Sequence, residues 1–235
     1  MPSSLIAPHG GRLVAPLAPE PERAAKLTRA AGLPAVRLTS REVSDLIMIG
    51  MGAFSPLTGF MGEADYLGVV TDMRMADGTL WPIPITLAPA AGVDGITPGQ
   101  EVALVDEESG EIMGTMRVEE RFAYDKPAEA RHVFRSEDEA HPGVAKVYAQ
   151  GDSCLAGPVE VLSEGGYPER FPEYARPAEV RTLFAERGWQ TVAAFQTRNP
   201  LHRSHEYLTK VALEVSDGLF IHPIVGKLNE GDIPA

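Results

Sequence analysis

Along the first 169 residues, apolar and polar positions alternate over short distances, and prolines and glycines separate them. Such a pattern predicts short strands and a few helices rather than long regular elements. The predicted helices run from Pro19 to Ala31, closed by Gly32, and from a Thr39–Glu42 capping box to Gly50. The predicted strands are Trp81 to Leu87, Val102 to Val105, Ile112 to Val118 and Pro158 to Leu162.

The turns between these strands indicate how they are connected. Residues Glu107 to Gly110 separate two of the strands by a polar, glycine-ended stretch, which predicts a hairpin. Pro82 and Pro84 place the Trp81 strand at a sheet edge, because proline cannot donate a ladder hydrogen bond. Many short strands with turns between them indicate a small β-barrel with a few helices.

The pattern changes near residue 170. An amphipathic helix is predicted from Pro177 to Arg187, and a second helix from Leu201 to Val215. The apolar run from Thr191 to Phe195 predicts a strand buried on both faces, and Leu219 to Val225 is a second such run. Strand, helix and strand in this order indicate a parallel α/β sheet. We therefore expect two domains, residues 1–169 and 170–235.

Composition narrows the classes of function. The chain is 44% hydrophobic and 23% charged, as in ordinary globular proteins, and its net charge is -12. This acidic balance argues against a general nucleic-acid or membrane binder, since both need surplus Lys and Arg. A single cysteine, Cys154, excludes an intramolecular disulfide and fits a reducing cytoplasm. We expect Cys154 to be a small buried side chain, and we find neither a secretory signal nor a membrane-spanning run.

Polar residues concentrate between the first predicted strand of the second domain and the helix after it. They are Gln196, Thr197, Arg198, Asn199, Pro200, His202, Arg203, Ser204 and His205. Open α/β sheets bind ligands at the carboxyl ends of their strands, and a helix start suits a phosphate. Pro200 fits the first helical turn, which places His202 and His205 on one face. Arg198 supplies a planar fork for an oxyanion, so the segment predicts an anion site.

The histidines in this region also fit other kinds of site. Two histidines three residues apart can bind a metal, but no third ligand is evident nearby. The pair His205-Glu206 belongs to a zinc-protease motif only if a histidine follows at position 209, where this chain has Thr209. His222, in the second apolar run, fits a site wall and a core position equally well.

The stretch from Gln196 to His205 resembles the signature of the ATP sulfurylase family, also called sulfate adenylyltransferase. Further segments resemble the same family in order along the chain. They are Pro8 to Gly11, Gly52 to Phe60, Trp81 to Leu87, His141 to Val144, Ile221 to Gly226 and Gly231 to Pro234. The resemblance implies a PUA-like β-barrel domain followed by a Rossmann-like nucleotidyltransferase domain. The family's later Gly-Arg-Asp-His-type loop has no counterpart in these 235 residues, so we expect an incomplete catalytic domain.

The resemblance also implies a reaction and a set of roles. MgATP and sulfate would give adenylyl sulfate and pyrophosphate, or the reverse in sulfur oxidation, with Mg²⁺ arriving on ATP and no metal held by the protein. Gln196 and Arg198 would bind sulfate, and residues 196–199 with His202 and His205 would bind ATP. Thr197, Arg198 and Asn199 match the catalytic positions, and the two histidines match the pair that stabilises the transition state. We expect a homo-oligomer.

The residues themselves favour direct in-line attack of a sulfate oxygen on the α-phosphorus, because no Ser–His or Cys–His pair is arranged for a covalent intermediate. Two alternatives stay open at this point. A different adenylyltransferase would share the phosphate site without needing Gln196 and Arg198 for sulfate. A non-catalytic binding or assembly module would need no turnover. Exchange of pyrophosphate with ATP, with and without sulfate, distinguishes the three.

Overall fold

The computed structural model describes residues 5–224 and divides them into two compact units. The larger unit is Pro8–Pro177, and the described part of the smaller unit is residues 5–7 and 178–224. The family segment from Ile221 to Gly226 extends beyond the described residues, and the segment from Gly231 to Pro234 lies outside them. The predicted domain boundary at residue 169 stays a prediction.

The larger unit mixes short helices with short strands. Its helices are α1 (Glu20–Ala30), α2 (Ser40–Gly50), α3 (Glu63–Asp72), α4 (Lys126–Glu129), α5 (Pro142–Tyr148) and α6 (Tyr167–Arg170), with a 3₁₀ turn at His9–Gly11 and a π-helical turn at Ala130–Phe134. Its strands are β1 (Ala35–Leu38), β2 (Gly59–Phe60), β3 (Glu101–Asp106), β4 (Ile112–Arg117), β5 (Glu120–Ala123) and β6 (Ser153–Val161). The predicted helices α1 and α2 and the β3–β4 hairpin are confirmed, and β6 is longer than predicted.

These six strands form one sheet in the order β1-β3-β4-β6-β2, with β5 also paired to β6. Strand β1 runs parallel to β3, and the other pairings are antiparallel. The nine-residue strand β6 pairs with three partners, and Gly157, where it crosses β2, has a φ of +150°. A Cβ there would lie 2.0 Å from the Arg117 carbonyl oxygen, so only glycine fits this crossing.

Helix α2 packs on the sheet and fixes the core. The Thr39 hydroxyl caps it, accepting from the Glu42 backbone N–H, and the Glu42 carboxylate accepts from the Thr39 backbone N–H at 2.8 Å. Leu46 and Ile49 are fully buried against β-sheet side chains such as Leu104. The predicted capping box therefore orients the helix whose apolar face closes the main core of this unit.

A buried carboxylate holds the chain that follows β6. Glu164 is almost completely buried and accepts hydrogen bonds from Arg176 Nε at 2.9 Å and from Tyr174 Oη at 3.2 Å. Arg23 of α1 lies 3.7 Å from the same carboxylate. Because a buried carboxylate is costly without such partners, this cluster fixes the path of residues 165–176 over the larger unit.

The predicted strand from Trp81 to Leu87 is wrong. The segment forms no strand, and its one ladder contact is a bridge between Leu87 and Leu155. Its backbone carbonyl at Ile85 accepts from Met61, and Trp81 donates to the Met73 carbonyl. Pro82 and Pro84 have no N–H to donate, so their segment cannot form a continuous ladder and pairs irregularly instead.

The smaller unit has the predicted strand–helix–strand order. Helix α7 (Pro177–Glu186) precedes β7 (Val192–Thr197), helix α8 (Arg203–Val215) follows it, and β8 (Gly218–Pro223) pairs with β7 in parallel. The prediction that the first strand is buried on both faces is wrong for the described residues, since none of β7 is fully buried. Strands are buried on both faces where helices cover a parallel sheet, and within the described residues β7 pairs only with β8.

A candidate anion site at the carboxyl end of β7

The signature residues occupy the end of β7, a five-residue turn and the start of α8. Gln196 and Thr197 are the last residues of the strand, and Arg198 lies in the turn with its side chain exposed. Helix α8 begins at Arg203, so the prediction that Pro200 lies in its first turn is wrong. His202 itself is extended, with φ and ψ of -121° and 175°. His202 is therefore the N-cap residue, and His205 lies in the first turn.

The turn is held by its own polar groups. The Thr197 hydroxyl donates to the Asn199 carbonyl at 2.8 Å, and the Asn199 backbone N–H donates to the same hydroxyl oxygen at 3.1 Å. A side chain that closes a turn in this way fixes the backbone without help from the core. Thr197 is thus tied to the conformation of the segment between strand and helix.

His202 and His205 form a close pair despite the shift in the helix start. Their ring centroids are 3.7 Å apart, with an angle of 31° between the planes. The His202 backbone N–H approaches His205 Nδ1 at 3.5 Å, and His202 Nδ1 lies 2.8 Å from the Ser204 hydroxyl. Each ring therefore uses Nδ1 for a local contact. The Nε2 atoms remain as the nitrogens that can donate to an anion.

The two histidines lie over one face of the β7–β8 sheet. The His205 ring packs on Phe195, with centroids 5.2 Å apart, and Thr209 of the same helix is buried. Side chains alternate along a strand, so Thr197 shares the face of Phe195, whereas Gln196 points to the opposite face. The signature residues thus divide between the two sides of the sheet edge.

The opposite face has its own polar pair, which sequence analysis did not identify. Gln196 and His222 are direct register partners on β7 and β8, and Gln196 Nε2 lies 3.3 Å from His222 Nδ1. The sequence left His222 undecided between a core position and a site wall. The spacing of the two apolar runs could have predicted the register, but only if the first residue of each strand were known.

Asp217 fixes that register at the other end of the strands. Its carboxylate accepts from the backbone N–H groups of Gln190 and Thr191, at 2.9 and 2.8 Å, and from the Thr191 hydroxyl at 3.0 Å. These hydrogen bonds hold the pKa of Asp217 below its ordinary value. Gln190 and Thr191 directly precede β7, and Asp217 directly precedes β8. Their hydrogen bonds therefore fix the register of the two strands.

The electrostatics of the α8 start suit an anion. The first-turn backbone N–H groups of a helix lack intrahelical acceptors and carry a partial positive charge. The nearest acid on the helix, Glu206, pairs with Lys210 at 2.6 Å. Across residues 5–224, no three His, Cys, Asp or Glu side chains gather as a metal site would require. The geometry of the α8 start therefore offers donors to an anion.

Cys154 is fully buried in the larger unit, as predicted, and burial raises the pKa of its thiol to about 12. None of the helices in residues 5–224 has both the length and the apolar character needed to span a bilayer.

Comparisons with known proteins match both parts of the chain. Residues 6–164 match the PUA-like domain model, and residues 173–235 match the ATP-sulfurylase model. The sulfate adenylyltransferase of Chlorobaculum tepidum is 56% identical over 99% of this chain and 58% of its own length. That of Desulforamulus reducens is 53% identical over 99% of this chain and 60% of its own length.

A solved structure is also similar over almost the whole chain. A hexameric APS kinase from Thiobacillus denitrificans superposes with a TM-score of 0.74 at 31% identity, covering 97% of this chain and 41% of that chain. The chain spans about three fifths of the length of the two curated relatives named above, at 58% and 60%.

Proposed function

The chain belongs to the ATP-sulfurylase family, and we propose that its segment from Gln196 to His205 binds MgATP and sulfate and catalyses their conversion to adenylyl sulfate and pyrophosphate. The observation that carries the proposal is the close pair of His202 and His205, each with Nε2 available, at the start of α8. Such a group of donors suits a polyphosphate.

The division of the signature between two faces supports two subsites. Thr197 and the histidine pair lie on the α8 side and would hold the ATP phosphates. Gln196 lies on the other side and, with Arg198 from the turn, would hold sulfate. Asn199 and the helix start would contact the α-phosphate. A ligand above the strand ends could contact both sides, which is where open α/β sheets bind their substrates.

Catalysis in this arrangement is positioning and charge stabilisation. Two anions repel each other, so holding a sulfate oxygen in line with the α-phosphorus would supply much of the rate enhancement. Negative charge grows on the leaving pyrophosphate, and donation from the Nε2 atoms of His202 and His205 would stabilise it. Mg²⁺ would arrive as part of the nucleotide substrate and screen its charge.

The remaining features are proposals of the same kind. We propose that the sheet of the larger unit is a PUA-like barrel and that α7 to β8 are the start of a Rossmann-like nucleotidyltransferase domain. We also propose a cytoplasmic homo-oligomer. The family resemblance supports the PUA-like barrel and the Rossmann-like domain. The hexameric assembly of the similar APS kinase supports oligomerisation. Whether the proposed reaction runs toward adenylyl sulfate or toward ATP depends on the supply of reactants.

The test is sulfate-dependent turnover in the parent and in Arg198→Ala. We expect the substitution to lower turnover by about 100- to 1,000-fold, since removal of a charged transition-state contact has effects of that order. Circular dichroism should be unchanged, because the Arg198 side chain is exposed. Arg203→Ala is the matched control. It removes another exposed arginine, at the first residue of α8, and turnover should stay within a few-fold.

Three outcomes would contradict the proposal. Near-normal turnover in Arg198→Ala would show that sulfate does not bind at this segment. Pyrophosphate–ATP exchange in the parent without any dependence on sulfate would favour another adenylyltransferase. Complete absence of exchange in the parent would favour a binding or assembly module.

A further inference from the structure

Gln196 is connected to the second strand by a hydrogen bond across the sheet. Its Nε2 lies 3.3 Å from His222 Nδ1, and the two residues are register partners in parallel strands. This contact lies on the face opposite the His202–His205 pair. A change at His222 can therefore act on the Gln196 side without touching the rings proposed to hold the ATP phosphates.

The His222 imidazole is itself held in place by stacked rings. It stacks on Phe220 with centroids 5.5 Å apart and an angle of 17°. Phe220 meets Phe184 of α7 edge-on at 5.8 Å, and Phe184 contacts Trp189 at 5.7 Å. Trp189 in turn covers Gly218, where a Cβ would lie 2.2 Å from the indole. The imidazole is the outer end of an aromatic series that begins in α7.

Gln196 has no comparable support of its own. It is exposed, it lies at the end of its strand, and a glutamine side chain loses up to about 2 kcal/mol of rotamer freedom when fixed. Its amide nitrogen carries two hydrogens, so it can contact His222 Nδ1 with one and a ligand with the other. A partner that holds the amide before the ligand arrives lowers the cost of binding.

We propose that His222 is a positioning residue that orients the Gln196 amide toward sulfate, so that the aromatic series from α7 pre-organises the sulfate side of the site. This inference rests on the proposed function for the identity of the ligand. The orientation of Gln196 by His222 does not rest on it.

Two substitutions distinguish the contribution of the His222 hydrogen-bonding nitrogen from that of its stacked ring. His222→Phe keeps an aromatic ring that can stack on Phe220 but removes the hydrogen-bonding atom. His222→Asn replaces the ring by a short amide whose polar atom can occupy the place of Nδ1. His132→Phe, at an exposed histidine of the larger unit, is the matched control.

The first measurement is sulfate-dependent pyrophosphate–ATP exchange. For His222→Phe we expect the sulfate KM to rise by about 3- to 10-fold, the range of one hydrogen bond, with kcat and the ATP KM within about twofold. His222→Asn should return the sulfate KM toward the parent value, and His132→Phe should leave it there. Equal changes in the sulfate and ATP constants, or no rescue by asparagine, would show a merely structural role and overturn the proposal.

The second measurement needs no turnover. The side-chain NH₂ resonances of Gln196, followed by ¹⁵N–¹H NMR, should move in His222→Phe and return toward the parent in His222→Asn. Added inorganic sulfate should shift them further in the parent than in His222→Phe. If the Gln196 amide is the same in the parent and in His222→Phe, positioning is refuted. If the parent shows no sulfate-dependent exchange but the amide responds as expected, the proposed function fails while the positioning of Gln196 stands.

Discussion

The two units of the chain differ in where their apolar side chains lie. In the described residues, every fully buried hydrophobic side chain belongs to the larger unit, between Ala18 and Leu162. In the smaller unit, helix α8 leaves Tyr207, Leu208 and Val215 exposed, at 68%, 55% and 81%. The same residue types are therefore a core in one unit and a surface in the other.

The larger unit contains most of the buried core, whereas the smaller unit contains the candidate site. The larger unit has a continuous core between its sheet and α2, and burial of this kind is the main source of folding free energy. The smaller unit positions the candidate site through local contacts: Asp217 at the strand starts, Thr197 in the turn and the stacked rings around His222. Substitutions in the larger unit should therefore change stability first, whereas those in the smaller unit should change ligand binding first.

The largest expected effect is a truncation in the core of the larger unit. Leu104 on β3 is fully buried, and Leu104→Ala should lower the free energy of unfolding by about 2–5 kcal/mol, because it removes buried methyl groups and leaves a cavity. The matched substitution Leu208→Ala, on exposed α8, should cost less than about 0.5 kcal/mol. Urea denaturation followed by circular dichroism measures both.

Similar decreases in the free energy of unfolding for these two substitutions would contradict the difference between the two units. A large loss in Leu208→Ala would mean that the outer face of α8 is covered in solution, so its leucine would belong to a core or an interface. A small loss in Leu104→Ala would mean that the larger unit does not depend on the core that its sheet and α2 enclose.

A buried carboxylate makes the stability of the larger unit depend on pH. Asp45 is a residue of α2, with its Oδ2 3.7 Å from Arg41 Nη1 one turn earlier, and burial raises its pKa from 3.8 to about 6. Because the folded pKa is the higher one, the parent is favoured while Asp45 is protonated and loses stability as pH rises through about 6. Asp45→Asn cannot ionise. The stability of this variant relative to the parent should therefore rise by on the order of 2–3 kcal/mol between acid and neutral pH.

Urea denaturation of both proteins from about pH 4 to about pH 8 tests this expectation. Asp94→Asn, at an exposed aspartate of the same unit, controls for the loss of one negative charge. A stability difference between Asp45→Asn and the parent that stays constant with pH, or shrinks as pH rises, would contradict the assignment.

The smallest effect is expected at Cys154. It lies in a buried cluster of the larger unit with Tyr66 and Phe122, and its raised thiol pKa keeps it protonated and unreactive. Cys154→Ser should leave sulfate-dependent turnover within a few-fold of the parent. A thiol reagent should label the parent only after unfolding. Rapid labelling of the folded protein, or a large loss of turnover with unchanged stability, would show a functional role for this thiol.

Local patterns predicted the elements whose causes are local. The Thr39–Glu42 box, the glycine-ended hairpin and the strand–helix–strand order all depend on residues near each other in the chain, and each is present. The segment from Trp81 to Leu87 was mispredicted because its alternation is typical of a strand, whereas ladder formation depends on distant partners and on the N–H groups that its two prolines lack.

The sequence by itself determined the candidate site as a list, from Gln196 to His205, because its residues are contiguous and their chemistry is evident in one turn. Tertiary structure decided how that list is arranged. Helix α8 begins only at Arg203, so His202 is its N-cap residue. The alternation of β7 sends Gln196 away from the two histidines. The partner of Gln196 lies 26 residues away in sequence. Only the parallel pairing of β7 with β8 brings His222 beside it, because strand register depends on both strands at once.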